Sequence, residues 1–530
     1  MKHLNEDNLA EQPAIEWFKA LGYEYAFGPD IAPLGAFQER DSFREVLLSP
    51  RIERSIRRIN PDLPEAGVKE AIRQLQKMSG RDLVWTNKEV YSAIRDGLVA
   101  DVRMPSGETV GKNVKLIDFD HPTNNEFLIV NQYAVEGEKQ VRRPDVVVFI
   151  NGIPISIFEL KSPTDQRGSV WDGYLQFEQY KKDIPQLFKY NQILVISDLY
   201  NAKHGTISAP VEWFGIWKGI ENEEDRPEGM SQLEMLIRGI FQKERLLDIL
   251  QNFIVFEADS VEDASTYTKK MAMYHQYYGV NKAVERTIWA TRPKGNGKIG
   301  VFWHTQGSGK SLSMVFYINK ARRVAELKAP AFVFLTDRND LDNQLYKIFA
   351  RSGWANAQQA ENVSDLGNLL RDAGSGIFFT TIQKFEREQT LLNDRGNIIV
   401  IADEAHRSQY KKYAGNVRTA LPNAAFMGIT GTPIDSSERS TQMVFGPYIS
   451  TYKINEAVED GATVKIYYEG RLVPLHFTNQ FIDDEFDDLV VEQSYEAQES
   501  IKRSLAKMEG LIGTPSRIEQ VAKDIVEHFN

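Results

Sequence analysis

The chain contains no cysteine, which excludes disulfides, thiolate catalysis and cysteine-ligated zinc. Long hydrophobic runs are missing too: the longest, such as 146–150 and 398–402, have the length of a strand and fall far short of a membrane span. The opening residues Met1-Lys2-His3-Leu4-Asn5-Glu6 turn polar at once, without the apolar stretch of a secretion signal. A cytoplasmic protein with no membrane partner is expected. Positive charge is also in deficit, since 63 Lys and Arg face 74 Asp and Glu for a net charge of −11. That deficit does not exclude nucleic acid, because net charge governs solubility and steering while binding needs only a local basic groove. Acidic clusters at 221–225 and 483–488 carry much of the excess and read as solvated loops.

What is present is an ordinary globular composition, 42% hydrophobic and 26% charged, spread over 530 residues. One hydrophobic core cannot serve that length, so two to four domains are expected. Leu9, Ile15, Trp17, Phe18 and Leu21 recur at near-helical spacing, and Gly22 ends that helix. Further helices are expected over 39–60, 65–78 and 170–183, with strands within 114–161 and at 192–197, an α+β pattern with a mixed sheet. Residues 230–285 read as helical and hold a domain junction. Beyond a turn-rich loop at 292–298, strands (299–304, 331–336, 376–380, 397–402, 424–429) alternate with helices (310–326, 340–350). Such alternation predicts a parallel sheet covered on both faces.

Two groups of residues carry chemistry. In the first, Pro144-Asp145 and Glu159-Leu160-Lys161 flank two apolar strands joined at Asn151-Gly152, a strong hairpin signal. Carboxylates at the ends of such strands are costly without a partner or a metal. Asp145 and Glu159 suit a hard divalent cation, and Lys161 shares a face with Glu159. Register makes a demand here. A clean two-residue turn sets Asp145 opposite Phe158, whereas a three-residue loop or a bulge pairs Asp145 with Glu159. An odd-length loop or a bulge is therefore expected. Gln176 and Tyr180 follow one helical turn apart. The competing reading of Glu-x-Lys is a surface ion pair.

The second group is a nucleotide site. Gly307, Ser308 and Gly309 can turn backbone N–H groups onto phosphates at a helix N-terminus. Lys310 would reach the β- and γ-phosphates and Ser311 would ligate Mg²⁺. His304 stands where the first glycine of the strict pattern belongs. Asp403-Glu404-Ala405-His406 follows the apolar strand 398–402; Asp403 would hold Mg²⁺ and Glu404 would polarise the attacking water, with His406 completing the set. Thr430-Gly431-Thr432 again comes directly after a strand.

The run Pro144-Asp145, Glu159-Leu160-Lys161, Gln176 and Tyr180 resembles the PD-(D/E)xK nuclease fold in its RecB-like branch. This implies Asp145 and Glu159 as Mg²⁺ ligands, Lys161 as the water-activating residue, and Gln176 and Tyr180 as support near the DNA backbone. Glu11, on the first helix, would approach the metal in such a fold. The second group resembles DEAH-type superfamily 2 helicases with a RecA-like domain. That implies coupling of ATP state to DNA grip through Thr430, Gly431 and Thr432. It also implies DNA contacts from Thr336, Arg338, Thr381 and Gln383, and adenine recognition by Gln276.

Nuclease before motor resembles the restriction (R) subunit of type I restriction–modification systems, as do Gly22-Tyr23-Glu24-Tyr25, Gly28-Pro29-Asp30-Ile31, Asn151-Gly152-Ile153-Pro154 and the stretch 303–311. The resemblance implies ATP- and Mg²⁺-dependent translocation on double-stranded DNA, with cleavage away from the recognition site. Recognition would lie with separate methyltransferase and specificity subunits. The expected order is a nuclease domain over 1–255, a first RecA-like domain over 256–455, and over 456–530 a linker and the start of a second. Too few residues follow Thr432 for a full second RecA-like domain with its arginine finger. An N-terminal part of a longer protein is therefore expected, able to bind ATP but slow to hydrolyse it. The alternatives are a solitary helicase–nuclease for DNA ends, and an ATP-gated DNA-binding or remodelling module whose nuclease fold is a scaffold.

Overall fold

The computed structural model describes residues 10–103, 108–161, 169–198, 200–262, 264–372, 374–386, 390–403, 408–433, 441–465 and 515–529. They fall into two compact units, Met1–Thr463 and Val464–Asn530. In the second, residues Pro515–Phe529 form a helix.

Strands of the first unit run in chain order as β1 (Glu24–Phe27), β2 (Leu98–Arg103), β3 (Thr109–Val114), β4 (Phe127–Asn131), β5 (Val135–Glu136), β6 (Val141–Arg142), β7 (Val146–Ile150), β8 (Ile153–Leu160), β9 (Ile193–Ser197) and β10 (Ala202–Gly205). They continue as β11 (Ile254–Ala258), β12 (Tyr267–Met271), β13 (Lys298–His304), β14 (Ala331–Thr336), β15 (Gln358–Gln359), β16 (Gly376–Thr381), β17 (Ile398–Asp403), β18 (Ala425–Thr430) and β19 (Tyr448–Tyr452).

The first sheet has the order β1-β4-β7-β8-β9-β10 and is mixed. β4, β7 and β8 pair antiparallel, whereas β8 runs parallel to β9. Every residue of β7, β8 and β9 is buried, so both faces are covered and the strands read as unbroken apolar runs. The second sheet has the order β15-β16-β14-β17-β18-β13-β19. All its pairs are parallel. Parallel neighbours need long crossovers, which the helices Lys310–Ala321, Asn339–Arg351, Val363–Asp372 and Ser408–Ala420 help to supply.

Several expectations need correction. The helix expected over 39–60 exists only as Ser49–Ile59. Ahead of it the buried Arg40 donates to the Glu45 and Ala134 carbonyls at 3.1 and 2.7 Å, fixing 40–45 as a loop. Helix 310–326 stops at Ala321. Within 230–285, helices Gln232–Ile240, Lys243–Asn252 and Tyr274–Ala290 are interrupted by the antiparallel hairpin β11–β12. The boundary expected at 255/256 therefore falls inside β11. In this hairpin the buried Lys269 donates to Asn87 Oδ1, Gln192 Oε1 and the Asn191 carbonyl at 2.8, 2.6 and 3.1 Å. Burial pushes its pKa well down. The ribbon β2–β3 and the edge strand β19 were not expected.

One apolar core spans both sheets. Phe158 of β8 packs edge-on against Phe18 and beside Phe241 at ring separations of 5.6 and 5.2 Å. Phe253, just before β11, meets Tyr277 at 4.7 Å and Phe316 at 5.6 Å. Trp217 joins the two halves, its ring 5.7 Å from both His204 of β10 and Tyr277, so the sheets are packed together rather than strung on a free linker.

Candidate functional site

The β7–β8 hairpin turns on Asn151 and Gly152 with φ of +52° and +82°, the left-handed pair that a two-residue type I′ turn requires. Glycine is needed at 152 for a second reason: a Cβ there would lie 2.6 Å from the Leu48 carbonyl. Asn151 is buried and donates to the Leu116 carbonyl and to Asn125 Oδ1, both at 2.9 Å, which locks the turn. Pairing starts Ile150↔Ile153 and Phe149↔Pro154, then slips to Val148↔Ser156, Val147↔Ile157 and Val146↔Phe158. The slip leaves Ile155 as a bulge next to Pro154, a residue that cannot donate to the ladder. Continued by one residue, this register sets Asp145 opposite Glu159. The expected bulge is present, together with the two-residue turn.

Around that pair the polar contacts converge. The Leu160 N–H donates to Asp145 Oδ2 at 2.7 Å. Lys161 Nζ donates to Glu159 Oε1 at 2.8 Å and to Gln176 Oε1 at 2.5 Å, and Gln176 Nε2 donates to the Tyr180 hydroxyl at 2.6 Å. Glu159 is 1% exposed and the Lys161 side chain 14%, so the pair is not a solvated surface ion pair. The Tyr180 phenol is held well above its ordinary pKa, first by burial and then by the negative charge of Glu159, with Asp145 adding to it.

Helix Val170–Asp183, which carries Gln176 and Tyr180, starts at a capping box between Ser169 and Asp172. It approaches the sheet through Gly173, where a Cβ would lie 2.2 Å from Ile196 Cγ2. Glu11 is buried and accepts from Gln132 Nε2 at 2.6 Å and Asn131 Nδ2 at 3.3 Å. The Gln132 N–H in turn donates to the Asp145 carbonyl at 3.0 Å, so Glu11 joins the same corner.

Two carboxylates of hard oxygen donors beside a lysine suit Mg²⁺, which is commonly held by one or two carboxylates plus water and phosphate oxygens. Among the described residues no group of three or more His, Asp or Glu side chains is arranged to hold a metal.

In the seven-stranded sheet the second group lines up at the C-terminal strand ends, where open α/β sheets bind ligands. Trp303 of β13 pairs with Thr430 of β18, and Ile429 pairs with Asp403 of β17. Gly307 and Gly309 have φ of +81° and +80°, and helix Lys310–Ala321 begins directly after them. Lys310 Nζ donates to the His304 and Thr305 carbonyls at 3.3 Å each. A Cβ on Gly431 would lie 3.3 Å from that nitrogen, and the Gly431 carbonyl accepts from Trp303 Nε1 at 3.1 Å. Thr430 is buried and accepts from the Thr432 N–H at 3.1 Å. Ser311 is half-buried in the first turn of the helix. A cavity of about 590 Å³ opens beside the loop, with Gly307, Ser308, Gly309, Gln276, Trp213 and Lys270 among its walls. Oxygen donors at Ser311 and Asp403, a lysine and backbone N–H groups form a donor set that fits a metal-bound nucleotide triphosphate.

Of the other expected residues, Glu404 and His406 lie outside the described residues. Thr336 and Thr381 are 1% and 3% exposed, and the Thr336 hydroxyl donates to Asp342 Oδ1 at 3.2 Å, whereas the Arg338 side chain is 67% exposed. Gln383 Nε2 donates to the Asp337 carbonyl. Gln276 is buried and committed at both amide atoms: Oε1 accepts from the Met273 N–H at 2.9 Å, and Nε2 donates to the Gly309 carbonyl at 3.1 Å. Sequence reasoning missed Gly173, His275 and Trp303. The mid-helix glycine of Gly173 was the only available signal.

A parallel sheet with this loop at its strand ends gives the second half a helicase-like α/β fold. The SWI2/SNF2 ATPase family model matches residues 275–500, and the model for the type I restriction enzyme R protein N terminus matches residues 3–213. The chain is 41% identical over 557 aligned residues to the "Putative type I restriction enzyme MjaIXP endonuclease subunit" of Methanocaldococcus jannaschii, covering 99% of this chain and 52% of that protein. It is 42% identical over 552 to the type I restriction enzyme HindI endonuclease subunit of Haemophilus influenzae, covering 99% and 51%. The chain belongs to the family of type I restriction enzyme endonuclease subunits, and spans about half the length of these relatives. A solved SWI2/SNF2 ATPase core of Sulfolobus solfataricus aligns at 15% identity over 32% of this chain and 34% of that one, with a TM-score of 0.25. No helix among the described residues is long and apolar enough to cross a membrane.

Proposed function

We propose that this chain is the motor and Mg²⁺-dependent endonuclease part of a cytoplasmic type I restriction–modification complex. It would act with methyltransferase and specificity subunits on double-stranded DNA and cut away from the recognition site. The half built on β1–β10 is read as a PD-(D/E)xK nuclease domain and the half built on β13–β19 as a first RecA-like domain. The observation that carries this reading is the bulge at Ile155, which brings Asp145 toward Glu159 and Lys161 in the same compact unit as the phosphate loop.

In the proposed nuclease site Asp145 and Glu159 would hold Mg²⁺, whose chemistry there would be to polarise the scissile phosphate and ease deprotonation of water. Lys161 orients the attacking water and offsets the charge that develops on the phosphate. Gln176, braced by Tyr180, keeps the lysine ammonium beside Glu159. In the proposed motor site Lys310 and the 307–309 amides hold the triphosphate of ATP. Ser311 and Asp403 hold its Mg²⁺, and Glu404 positions the attacking water. Thr430, Gly431 and Thr432 would relay nucleotide state, since Gly431 lies against the Lys310 ammonium. DNA contact is assigned to the strand-end loops, with Arg338 the exposed cation there, and Thr336, Thr381 and Gln383 shaping the loops that carry it.

The test is cleavage by the complex assembled from the full-length subunit carrying Asp145→Ala or Lys161→Ala. Loss of cutting with retained DNA-stimulated ATP hydrolysis is expected; undiminished cutting by both variants would leave a motor on a scaffold fold.

A further inference from the structure

Two consecutive carbonyls of the phosphate loop are pinned by two consecutive side chains. His275 Nε2 lies 3.1 Å from the Ser308 carbonyl, and Gln276 Nε2 donates to the Gly309 carbonyl at 3.1 Å. Both side chains come from the first turn of helix Tyr274–Ala290, and both are buried. A carbonyl oxygen can only accept, so His275 carries its proton on Nε2. Its Nδ1 has no hydrogen-bond partner among the described residues. In a trans peptide the C=O and the following N–H point in opposite directions. Drawing the carbonyls of 308 and 309 toward the helix therefore aims the N–H groups of Gly309 and Lys310 away from it. Those are amides that a phosphate-binding loop must offer.

The imidazole is itself held on three sides. Its ring stacks on Tyr452 at a centroid distance of 3.8 Å and an interplanar angle of 3°, and lies 5.4 Å from the rings of Tyr274 and His304. Tyr274 and Tyr452 both donate to Asp460 Oδ2, at 2.6 and 2.8 Å. Lys218, from the segment after β10, pairs with the same carboxylate. Burial pushes the His275 pKa down to about 4, so the ring stays neutral and keeps the one proton it donates.

We infer that His275 is a positioning residue which, with Gln276, presets the phosphate loop for anions before any nucleotide arrives. The inference rests on reading 307–311 as the triphosphate site and adds to it: in this arrangement Gln276 is a strap on the loop and not a free reader of the base. Loss of the strap should weaken triphosphates whatever base they carry.

The experiment compares dissociation constants for ATP, GTP and inorganic tripolyphosphate, each with Mg²⁺, on the purified chain by calorimetry. The variants are His275→Phe, which keeps the ring stack but has no donor, and His275→Asn, which keeps a donor. His275→Phe should weaken all three ligands by a similar factor, up to about tenfold, as expected for one neutral hydrogen bond. His275→Asn should recover part of that loss. A second readout is ¹⁵N spectroscopy of histidine-labelled protein without ligand, in which His275 should show the Nε2–H tautomer. Wild-type affinity for all three ligands in His275→Phe would overturn the strap while leaving the nucleotide site intact, as would the Nδ1–H tautomer. A loss confined to ATP would overturn it in favour of base recognition. If the wild type binds none of the three, the nucleotide reading itself falls, and the tautomer still decides whether the strap exists. Should His275→Phe fail to fold, Gln276→Ala replaces it, with the same pattern across the three ligands expected.

Discussion

Leu160 donates its backbone N–H to Asp145 Oδ2 at 2.7 Å, so the carboxylate before β7 is held by the strand that carries Glu159 and ends just before Lys161. Backbone contacts of this kind survive side-chain changes at the neighbouring positions. Lys161→Ala should therefore leave the hairpin paired, with a lowered melting temperature because the buried Glu159 loses this cation. Cleavage by the assembled complex should fall by about 10²–10⁴-fold, the range for removing a group that orients or moves a proton. DNA-stimulated ATP hydrolysis, measured in the same samples, should stay at the wild-type rate.

Gly173 fixes how close the helix bearing Gln176 comes to β9, because a Cβ there would lie 2.2 Å from Ile196 Cγ2. Gly173→Val should push that helix outward and separate Gln176 from Lys161, at a cost of about 1–3 kcal/mol in stability from overpacking. The double variant with Ile196→Ala removes the opposing methyl groups and should recover part of both stability and cleavage. Denaturant titration and a cleavage assay on the two variants check it; a double variant no better than the single one would rule out the steric account.

Gly309 has φ of +80° and would place a Cβ 2.6 Å from Gln276 Nε2. Gly309→Ala adds left-handed strain of roughly 1–2 kcal/mol and dislodges the amide that pins the loop. Affinity for ATP should drop by about tenfold or more, read by calorimetry, with the melting temperature lowered only slightly. Unchanged affinity would show that the loop tolerates a side chain there.

Three buried histidines make stability sensitive to acid. Burial holds His204 and His275 at pKa values of about 4, and holds His304 well below its ordinary value. In the unfolded chain they titrate near 6.5. Between those values the unfolded state binds more protons, so stability is full above about pH 6.5 and declines as pH falls toward 4. Each of His204 and His275 contributes up to about 3 kcal/mol to that decline. Urea titrations at pH 7.5 and 5.0 should show it, and His204→Phe should make the difference smaller. Equal stability at both pH values would mean that these rings are not buried in solution.

Where apolar strands are continuous, as in β7 and β17, the sequence announced both the element and the neighbouring carboxylate. Register was legible as well, because one face-flip separated a useful Glu159 from a useless one. The β11–β12 hairpin was not legible: its inward Lys269 breaks the apolar pattern, and acceptors on the distant Asn87, Asn191 and Gln192 make that burial tolerable. Nor could Arg40 be foreseen as the residue that ends the helical reading of 39–48, since Ala134, one of its partners, lies far along the chain. The roles of His275 and Gln276 also depend on a helix and a loop meeting in space. Spacing alone suggested only that Gln276 stood near a nucleotide.

The unpaired Ile155 decides which way every later side chain of β8 points. A gene that lost the single codon for it would still encode two apolar strands around an Asn-Gly corner, and the protein could still fold. Its glutamate and lysine would face the opposite side of the sheet from Asp145. On the function proposed above, the outcome would be a subunit that keeps its ATP site and leaves DNA whole, a lesion invisible to any search that only asks whether the motif letters are present.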